Sequence, residues 1–454
     1  MKRDITMKND KRIKAIILGT GNRGLAYGDY ALNCPEELEI SALCDVNELR
    51  LKEAAERYSV PKDKCFNKLA DLLAAGIEAD FIINATMDQM HYETTVALIE
   101  AGYNILLEKP VTGSPRELLD IERRAKEKGV RIFVCHVLRY TPFYKKIKEL
   151  LNAGKIGKII GIEMNEHVWH GHFVNAYVRG KWRKEEECGS GFLLAKCCHD
   201  TDLMCWLNNI TTPEKVSSFG SRSFYCPENA PKGSAEYCYN CPVKDSCLFD
   251  AMKFELIMDC CPQYTWLDTG KAIDEMTVEE KTDYLKHSEF GKCVYKTDMD
   301  IVDRQCVSVE FANGSIGTLN MIGGASKAGR HIHIVCEYGE ILGYLESGEV
   351  IYREFNKSVS ESKYINDDMT HIDTVIDVNK EVVKGTVSFG GHSGGDYGIM
   401  HDVVNYFKGN LSSLSLTPID DSVAGHFVVY AAEESRINNK TVKVDEYKKT
   451  ITDR

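Results

Sequence analysis

Short apolar runs alternate with helix-like stretches through the first third of the chain. Five such runs predict β-strands, at residues 13–19, 38–46, 79–86, 103–110 and 130–140. Stretches of mixed polarity between them, such as residues 47–58 and 92–102, predict helices. Strands that alternate with helices indicate a parallel sheet built from right-handed crossovers. We therefore expect an N-terminal doubly wound α/β domain, of the Rossmann type, over residues 1–138.

After about residue 140 the pattern changes to longer strand-like runs joined by glycine-containing turns. These runs lie at residues 159–170, 305–323, 330–346 and 349–355. They predict a mainly antiparallel sheet. We expect a second α/β domain over residues 139–454.

One predicted buried helix, residues 193–207, contains charged groups in a mostly apolar stretch. These groups are Lys196, His199, Asp200 and Asp202. Burying a charge is costly unless the charge is paired or used. Residues three apart share a helix face, so Lys196, His199 and Asp202 are expected to line one side. Either His199 is a core histidine satisfied by Asp202, or this face meets a cavity in which chemistry occurs.

The segment ILGTGNRG follows the first predicted strand and precedes a helix. Its glycine spacing, G-x-G-x-x-G, is typical of a loop that binds a dinucleotide pyrophosphate. Asp45 ends the second strand 21 residues after Gly24, where an acid binds the adenosine ribose hydroxyls. Asp45 would repel a 2′-phosphate and no arginine follows it immediately, so NAD is favoured over NADP. The predicted cofactor-binding residues are Gly19, Gly21, Asn22, Arg23, Gly24, Asp45, Thr86, Glu108 and Lys109.

The fourth predicted strand ends in LLEKPV, which places Lys109 at the carboxyl edge of the sheet, where ligands bind. Together with GTGNRG and the later segment GSGFLLAKCCHDTD, it resembles the Gfo/Idh/MocA oxidoreductases. The resemblance implies a Rossmann domain followed by an α/β domain with an open sheet, and a sugar or glycoside substrate. It also implies that Lys109 lies near the nicotinamide. The family's usual aspartate four residues before the histidine is Ala195 here, and Lys196 lies three residues before His199.

Oxidation of a secondary alcohol sends a hydride to the nicotinamide and a proton to a base. Histidine suits the base because its pKa lies near neutrality. We expect His199 to be the base, and Lys109 and Lys196 to polarise the hydroxyl. The exchange of roles between His199 and Lys109 is an open alternative.

Aromatic and polar side chains between the glycine-rich turn and the first long strand, and at the domain junction, suit a sugar ring. The predicted substrate-binding residues are His136, Arg139, Tyr140, Trp169, His170, Arg179, Trp182 and Asp202. The glycine-rich turn at 392–398 brings His392 and Asp396 as further candidates. Ordinary packing at a polar sheet edge is the alternative interpretation.

A cysteine-rich loop presents Cys226, Cys238, Cys241 and Cys247 with the spacing C-x11-C-x2-C-x5-C. A C-x-x-C pair with two further cysteines nearby is a recurrent metal-site pattern. The loop is expected to hold a structural zinc ion or an iron–sulfur cluster, and four free thiols are the third possibility.

Composition narrows the partners and the compartment. The net charge of −12 disfavours binding to nucleic acid or to an anionic membrane. No apolar stretch is long enough to span a bilayer, so we expect a cytoplasmic protein whose 17 cysteines are thiols or metal ligands. The family resemblance implies a homo-oligomer, either a dimer or a tetramer.

Two other functions remain open at this stage. One is an enzyme of the glycosidase type that retains NAD and cleaves a glycoside by transient oxidation and elimination. The other is a non-enzymatic NAD-binding regulator, because Rossmann domains also serve that purpose.

Overall fold

A computed structural model of the chain describes residues 11–259, 261–267, 269–356, 370–381, 391–410 and 412–452. The chain divides into two compact units. The first contains residues 1–111, 117–145 and 382–422, and the second contains residues 112–116, 146–381 and 423–454. The predicted boundary near residue 138 lies close to the passage from the first unit to the second. Segment 382–422, which the sequence placed in the second domain, belongs to the first unit.

The first unit is built on a six-stranded parallel sheet, which confirms the predicted Rossmann domain. Its strands are hydrogen-bonded in the order β3-β2-β1-β4-β5-β6, the order of two mononucleotide-binding halves. The strands are β1 (Ile13–Leu18), β2 (Leu38–Cys44), β3 (Cys65–Phe66), β4 (Phe81–Asn84), β5 (Ile105–Leu107) and β6 (Ile132–Val134). Strands β4, β5 and β6 are buried at every position, as expected for a parallel sheet covered on both faces.

The second unit contains a nine-stranded sheet in the order β14-β13-β12-β11-β7-β10-β9-β8-β15. Only the β7–β10 pair is parallel among the pairings of the described strands, so the predicted mainly antiparallel sheet is confirmed. The strands are β7 (Ile159–Trp169), β8 (Pro213–Ser221), β9 (Arg304–Phe311), β10 (Ile316–Ala325), β11 (Gly329–Cys336), β12 (Gly339–Tyr344), β13 (Glu349–Phe355), β14 (His371–Asp377) and β15 (Val442–Lys443).

The helices of the described residues follow the same chain order. They are α1 (Asn22–Gly28), α2 (Tyr30–Asn33), α3 (Glu48–Tyr58), α4 (Leu69–Ala75), α5 (His91–Glu100), α6 (Pro115–Lys128), α7 (Pro142–Asn152), α8 (His170–Phe173), α9 (Glu185–Cys188), α10 (Phe192–Leu207), α11 (Ala251–Leu256), α12 (Pro262–Thr265), α13 (Val278–His287), α14 (Val378–Glu381), α15 (Gly395–Phe407), α16 (Ile419–Asn438) and α17 (Val444–Thr452). None of those helices has the length and apolar character that crossing a membrane requires.

Helix α15 explains why segment 382–422 belongs to the first unit. Its apolar residues Ile399, Met400, Val403 and Val404 are buried in the same core as Ile17 of strand β1. Burial of such side chains away from water stabilises the packing of α15 on the Rossmann sheet. The chain therefore returns to its first domain more than 250 residues after leaving strand β6.

Helix α10 packs against the nine-stranded sheet of the second unit. A Cβ atom built at Gly317 of β10 would lie 2.4 Å from the Met204 sulfur of α10, so a larger residue there would require the Met204 side chain to move. Along β7 the burial alternates, and Ile162, Met164 and Glu166 are buried on the inner face. A glutamate thus occupies a core position of the strand under α10.

Candidate active site

The glycine loop after β1 leaves open space where a pyrophosphate would approach. Gly19 has a φ of +91°, and a Cβ atom there would lie 2.5 Å from the carbonyl oxygen of Ala85. A Cβ atom at Gly24 would lie 2.0 Å from the carbonyl oxygen of Gly19, so close packing of loop on helix requires glycine there. A Cβ atom at Gly21 meets nothing within 4 Å. These three environments fit the glycine roles of a dinucleotide-binding loop.

Asp45 is buried at the end of strand β2, with its carboxylate surrounded by donors. Oδ2 accepts hydrogen bonds from the Thr20 amide at 2.7 Å and the Thr20 hydroxyl at 3.0 Å. Oδ1 accepts from the Asn47 amide at 2.8 Å and from Arg50 at 3.2 Å. A carboxylate has about four acceptor sites. A ribose hydroxyl would therefore displace one of these donors, and Arg50 is the one on a long, half-buried side chain.

Glu108 and Arg23, both predicted to bind the cofactor, belong to one ionic cluster of the first unit. Arg23 Nε lies 2.6 Å from Glu108 Oε1, and Arg23 Nη2 lies 2.8 Å from Asp396 Oδ1. The Tyr27 hydroxyl donates to Glu108 at 2.6 Å. Burial alone would raise the pKa of Glu108, but Arg23 and Lys109 lower it to about 2. Asp396, the turn residue proposed from sequence, is therefore an ionic partner of Arg23, and its pKa is also lowered, against the effect of burial, by hydrogen bonds from His392 and Arg23.

Lys109 is half-buried directly after strand β5, and its amide donates to Glu108 Oε2 at 2.7 Å. The Lys109–Pro110 peptide bond is cis. His91 joins this motif to the end of β4, because its ring nitrogens lie 2.6 Å from the Pro110 carbonyl oxygen and 3.0 Å from the Thr86 carbonyl oxygen. Sequence reasoning missed His91. The structure thus ties two predicted cofactor-binding positions together at the carboxyl edge of adjacent strands.

The candidate residues His136, Arg139 and Tyr140 follow strand β6 and are buried in the first unit. Arg139 Nη1 donates to the Leu416 carbonyl at 3.4 Å, and the Tyr140 hydroxyl lies 3.1 Å from the Thr417 hydroxyl. Both contacts hold the returning segment against the sheet. A role of these three residues in substrate binding stays a prediction.

Helix α10 places Lys196 and Asp200 one turn apart, facing a second pair of charges on the sheet. Lys196 Nζ lies 3.4 Å from Glu166 of β7, and Arg330 of β11 lies 2.9 Å from both Glu166 and Asp200. Burial raises the pKa of Glu166, although the two cations oppose that shift. Two positive and two negative side chains therefore neutralise one another's charge inside the second unit. This pairing explains how α10 can place charged residues in a core.

His199 and Asp202 are buried residues of the same helix. His199 is 4% exposed and Asp202 is fully buried. A Cβ atom at Gly425 of α16 would lie 2.8 Å from the Asp202 Cα atom, so that side of α10 packs directly on α16. Lys196 shares its charged neighbours with Asp200, at a spacing of four, and a joint catalytic role of Lys196, His199 and Asp202 stays a prediction.

An aromatic group forms where strand β7 passes into helix α8. The Trp169 and His170 rings have centroids 5.3 Å apart. The His172 ring stacks on Tyr264 at 5.5 Å, and the Tyr264 ring meets the edge of Trp182 at 6.2 Å. Flat aromatic faces of this kind suit the apolar face of a sugar ring. Contact between Trp169, His170 or Trp182 and a substrate stays a prediction.

Arg179 is 1% exposed, and it holds the cysteine-rich loop region together. Its Nε donates to the Lys292 carbonyl at 2.9 Å and its Nη2 donates to the Phe249 carbonyl at 2.8 Å. Its Nη1 lies 3.8 Å from the buried carboxylate of Glu255. These contacts give Arg179 a packing role, the alternative interpretation of this segment, and a role of Arg179 in substrate binding stays a prediction.

The predicted metal ligands Cys226, Cys238, Cys241 and Cys247 do not form a ligand set as they stand. Within the described ranges, no group of three or more His, Cys, Asp or Glu side chains is arranged to hold a metal ion. Cys238, Cys241 and Cys247 line one small cavity, and Cys226 is not among its lining residues. The predicted zinc or iron–sulfur site at these four cysteines is therefore not supported by the side-chain arrangement of the described residues.

Comparisons with known proteins agree with this architecture. Residues 13–136 match the profile described as oxidoreductase family, NAD-binding Rossmann fold, and residues 144–242 match the GFO/IDH/MocA C-terminal domain. YteT of Bacillus subtilis (strain 168), which is named as an oxidoreductase, is 24% identical over 375 residues, or 80% of this chain and 82% of YteT.

Other relatives match over less of their length or at lower identity. Inositol 2-dehydrogenase of Corynebacterium glutamicum (strain R) is 29% identical over 162 residues, which cover 35% of this chain and 47% of that enzyme. The WlbA dehydrogenase of Bordetella pertussis, solved with NADH and UDP-GlcNAcA, superposes with a TM-score of 0.65 at 16% identity. That match covers 96% of this chain and 98% of WlbA, and it shows a shared fold.

Proposed function

We propose that this chain, which belongs to the Gfo/Idh/MocA family of oxidoreductases, oxidises a secondary hydroxyl of a sugar or glycoside to a ketone, with NAD as the hydride acceptor. The observation that carries the chemical assignment is the ion pair between half-buried Lys196 and buried Glu166, with His199 three residues after Lys196 on the same helix. A lysine held by a carboxylate supplies a fixed positive charge, and the neighbouring histidine is then the group available to take a proton.

Bound NAD would supply the hydride-accepting carbon of the nicotinamide. The open approach to Gly21 fits a pyrophosphate, and the buried carboxylate of Asp45 fits the adenosine ribose. Lys109, at the carboxyl edge of the parallel sheet, would contact the nicotinamide end. We propose NAD over NADP because a 2′-phosphate would meet the Asp45 carboxylate. Arg50 moderates this preference, since its guanidinium lies 3.2 Å from Asp45.

Three side chains divide the proton and charge chemistry. His199 would accept the proton from the substrate hydroxyl as hydride leaves the carbon that bears this hydroxyl. Lys196 and Lys109 would donate to the substrate oxygen and stabilise the negative charge that develops on it. The Glu166 carboxylate favours the ammonium form of Lys196, because an opposite charge nearby stabilises the charged form. This pairing supports Lys196 as a donor and His199 as the base, and the exchange of His199 with Lys109 is tested below.

The substrate class rests on chemistry and relatives together. Aromatic rings at Trp169, His170 and Trp182 offer flat surfaces to a sugar ring. Two relatives are named inositol 2-dehydrogenase and D-xylose dehydrogenase, and both of these named substrates are polyhydroxylated. We place the enzyme in the cytoplasm and expect a homo-oligomer, which light scattering on the purified chain measures directly.

The test measures NADH formation with a panel of glycosides, free sugars and inositols, and it follows cleavage of chromogenic glycosides in parallel. Sustained NADH formation from a sugar or glycoside supports the dehydrogenase. Cleavage of a glycoside without net NADH, at a rate that depends on bound NAD, would replace it with an NAD-retaining glycosidase. Tight NAD binding with neither reaction on any substrate would favour a regulatory protein.

A further inference from the structure

Four cysteine side chains of the second unit surround one small cavity. They are Cys238, Cys241, Cys247 and Cys293. The first three belong to the cysteine-rich loop, whereas Cys293 comes from a segment 46 residues further along the chain. Tetrahedral sites for thiophilic metals take four sulfur ligands, often with a C-x2-C pair among them. The cavity is therefore lined by four cysteines, which is the ligand type and the ligand number of such a site.

Backbone pairing brings the distant Cys293 to this loop. Tyr237 and Lys292 form an antiparallel bridge. The Cys293 amide donates to the Glu236 carbonyl at 2.8 Å. These bonds fix the backbones that precede Cys238 and Cys293, so both side chains reach the same cavity without a regular strand in either segment.

Polar hydrogens already point at two of the sulfur atoms. Arg179 Nη2 lies 3.6 Å from Cys238 Sγ, and the Ala235 amide donates to Cys241 Sγ at 3.4 Å. Donors of this kind stabilise a metal-bound thiolate from outside its coordination sphere. They also explain why the fully buried guanidinium of Arg179 lies beside this loop.

The cavity between these thiols is small. Its volume is about 10 Å³, close to the space that one water molecule needs. An iron–sulfur cluster, with several metal and sulfide atoms, requires more room. One ion, with each metal–sulfur bond at roughly 2.3 Å, would require rotation of the cysteine side chains toward the cavity. Such rotation is needed because the side chains of the described residues do not stand in a metal-binding arrangement, and cysteine has one side-chain torsion with three low-energy states.

We propose that Cys238, Cys241, Cys247 and Cys293 bind one thiophilic metal ion, of which zinc is the probe, and that Cys226 takes no part. The ion would cross-link the loop at 226–250 to the segment at 292–297. It would act structurally, because hydride transfer to NAD needs no metal. Cys247 is half-buried, so one of the four thiols is in contact with solvent.

The experiment compares the metal content of the full chain with that of three single variants. Elemental analysis should find about one zinc ion per chain in the parent and in Cys226→Ser. Cys293→Ser and Cys241→Ser should lower zinc to background and reduce the melting temperature. Cys226→Ser is the matched control, since it removes a thiol from the same loop outside the cavity.

A second measurement keeps the test decisive if a variant fails to fold. Zinc is removed from the parent chain with a chelator, and Co²⁺ is added. Strong visible bands of tetrahedral cobalt bound to thiolates, with one equivalent at saturation, support the proposal. Metal-free parent protein that gives no such bands overturns it. Zinc loss in Cys226→Ser equal to that in Cys293→Ser overturns the ligand set, and iron with acid-labile sulfide overturns the single ion.

Discussion

Arg330 stands directly opposite Glu166 in the antiparallel register of strands β11 and β7, and the guanidinium lies 2.9 Å from the carboxylate. The same carboxylate lies 3.4 Å from Lys196 on helix α10. Glu166 is thus shared between a cation of the sheet and the proposed catalytic lysine. Because both cations need this carboxylate, Glu166 is a positioning residue for Lys196 in the proposed reaction.

The first prediction concerns Glu166→Gln, which keeps the size of the side chain and removes its charge. The variant should lower kcat by roughly 10- to 100-fold, as loss of a supporting partner does elsewhere, with little change in KM. Lys196→Ala should lower kcat at least as much. If Glu166 acts through Lys196, the double variant should lose little more than Lys196→Ala alone.

Glu163→Gln is the control for that series. Glu163 lies on the same strand, and its side chain is 67% exposed. Its substitution should leave kcat and KM unchanged. Additive losses in the double variant would contradict the positioning role, since they would mean that Glu166 acts independently of Lys196.

The second prediction distinguishes the residue that acts as the base from the lysines that donate hydrogen bonds to the substrate oxygen. His199→Ala and Lys109→Ala should each reduce kcat by a factor of about 10² to 10⁴ while NAD binding, measured by calorimetry, persists. In the parent enzyme the rate should fall as the pH is lowered, because a protonated base cannot accept a proton. That acidic decline should disappear in the residual activity of His199→Ala and remain in that of Lys109→Ala. The reverse pattern would assign the base to Lys109.

Candidate residues of the site could be predicted from the sequence where they lie in or next to a local motif. The glycine loop, Asp45 and Lys109 could be proposed from the sequence because elements adjacent in sequence, such as the strand, turn and helix around the glycines, define their positions. Glu166 was missed, although burial alternates regularly from Ile162 to the end of β7 and places Glu166 in line with the buried Ile162 and Met164. A glutamate at an apolar position of such a strand was the available signal for a buried ionic partner.

Contacts between distant segments account for the other differences. Arg330 reaches Glu166 only through the pairing of β11 with β7, and Cys293 reaches the cysteine loop only through the Tyr237–Lys292 bridge. The hydrophobic pattern of α15 predicts a buried helix face but not the sheet on which that face packs. Its packing on the core of the Rossmann domain could therefore not be predicted from the sequence. Spacing rules compare cysteines that are close in sequence, so they could include Cys226 and could not include Cys293.

The third prediction concerns the choice between NAD and NADP. Asp45→Ala should narrow the difference in affinity between the two nucleotides, because the carboxylate both binds ribose hydroxyls and repels a 2′-phosphate. Arg50→Ala should widen that difference by removing the cation nearest to the ribose position. Calorimetric titration with both nucleotides measures each affinity. Tighter binding of NADP than of NAD by the parent chain would refute the proposed preference.

The fourth prediction uses the lowered pKa of Glu108. Its value in the folded chain is about 2, against an ordinary value of 4.5. A carboxylate with a depressed pKa stabilises the fold fully above its unfolded value, and this contribution disappears as the pH falls toward the folded value. The contribution is on the order of 3 kcal/mol, because each pKa unit corresponds to about 1.4 kcal/mol.

Glu108→Gln should therefore unfold more readily than the parent chain at pH 7, and the two should converge as the pH falls from about 5 toward 2. Denaturant unfolding followed by fluorescence across this range gives the free energy of unfolding of both proteins. Glu100→Gln is the control, because Glu100 pairs with Arg124 at the exposed surface and its substitution should change little. A difference between Glu108→Gln and the parent that stays constant with pH would mean that the carboxylate contributes shape and hydrogen bonding, and not the charge that Arg23 stabilises.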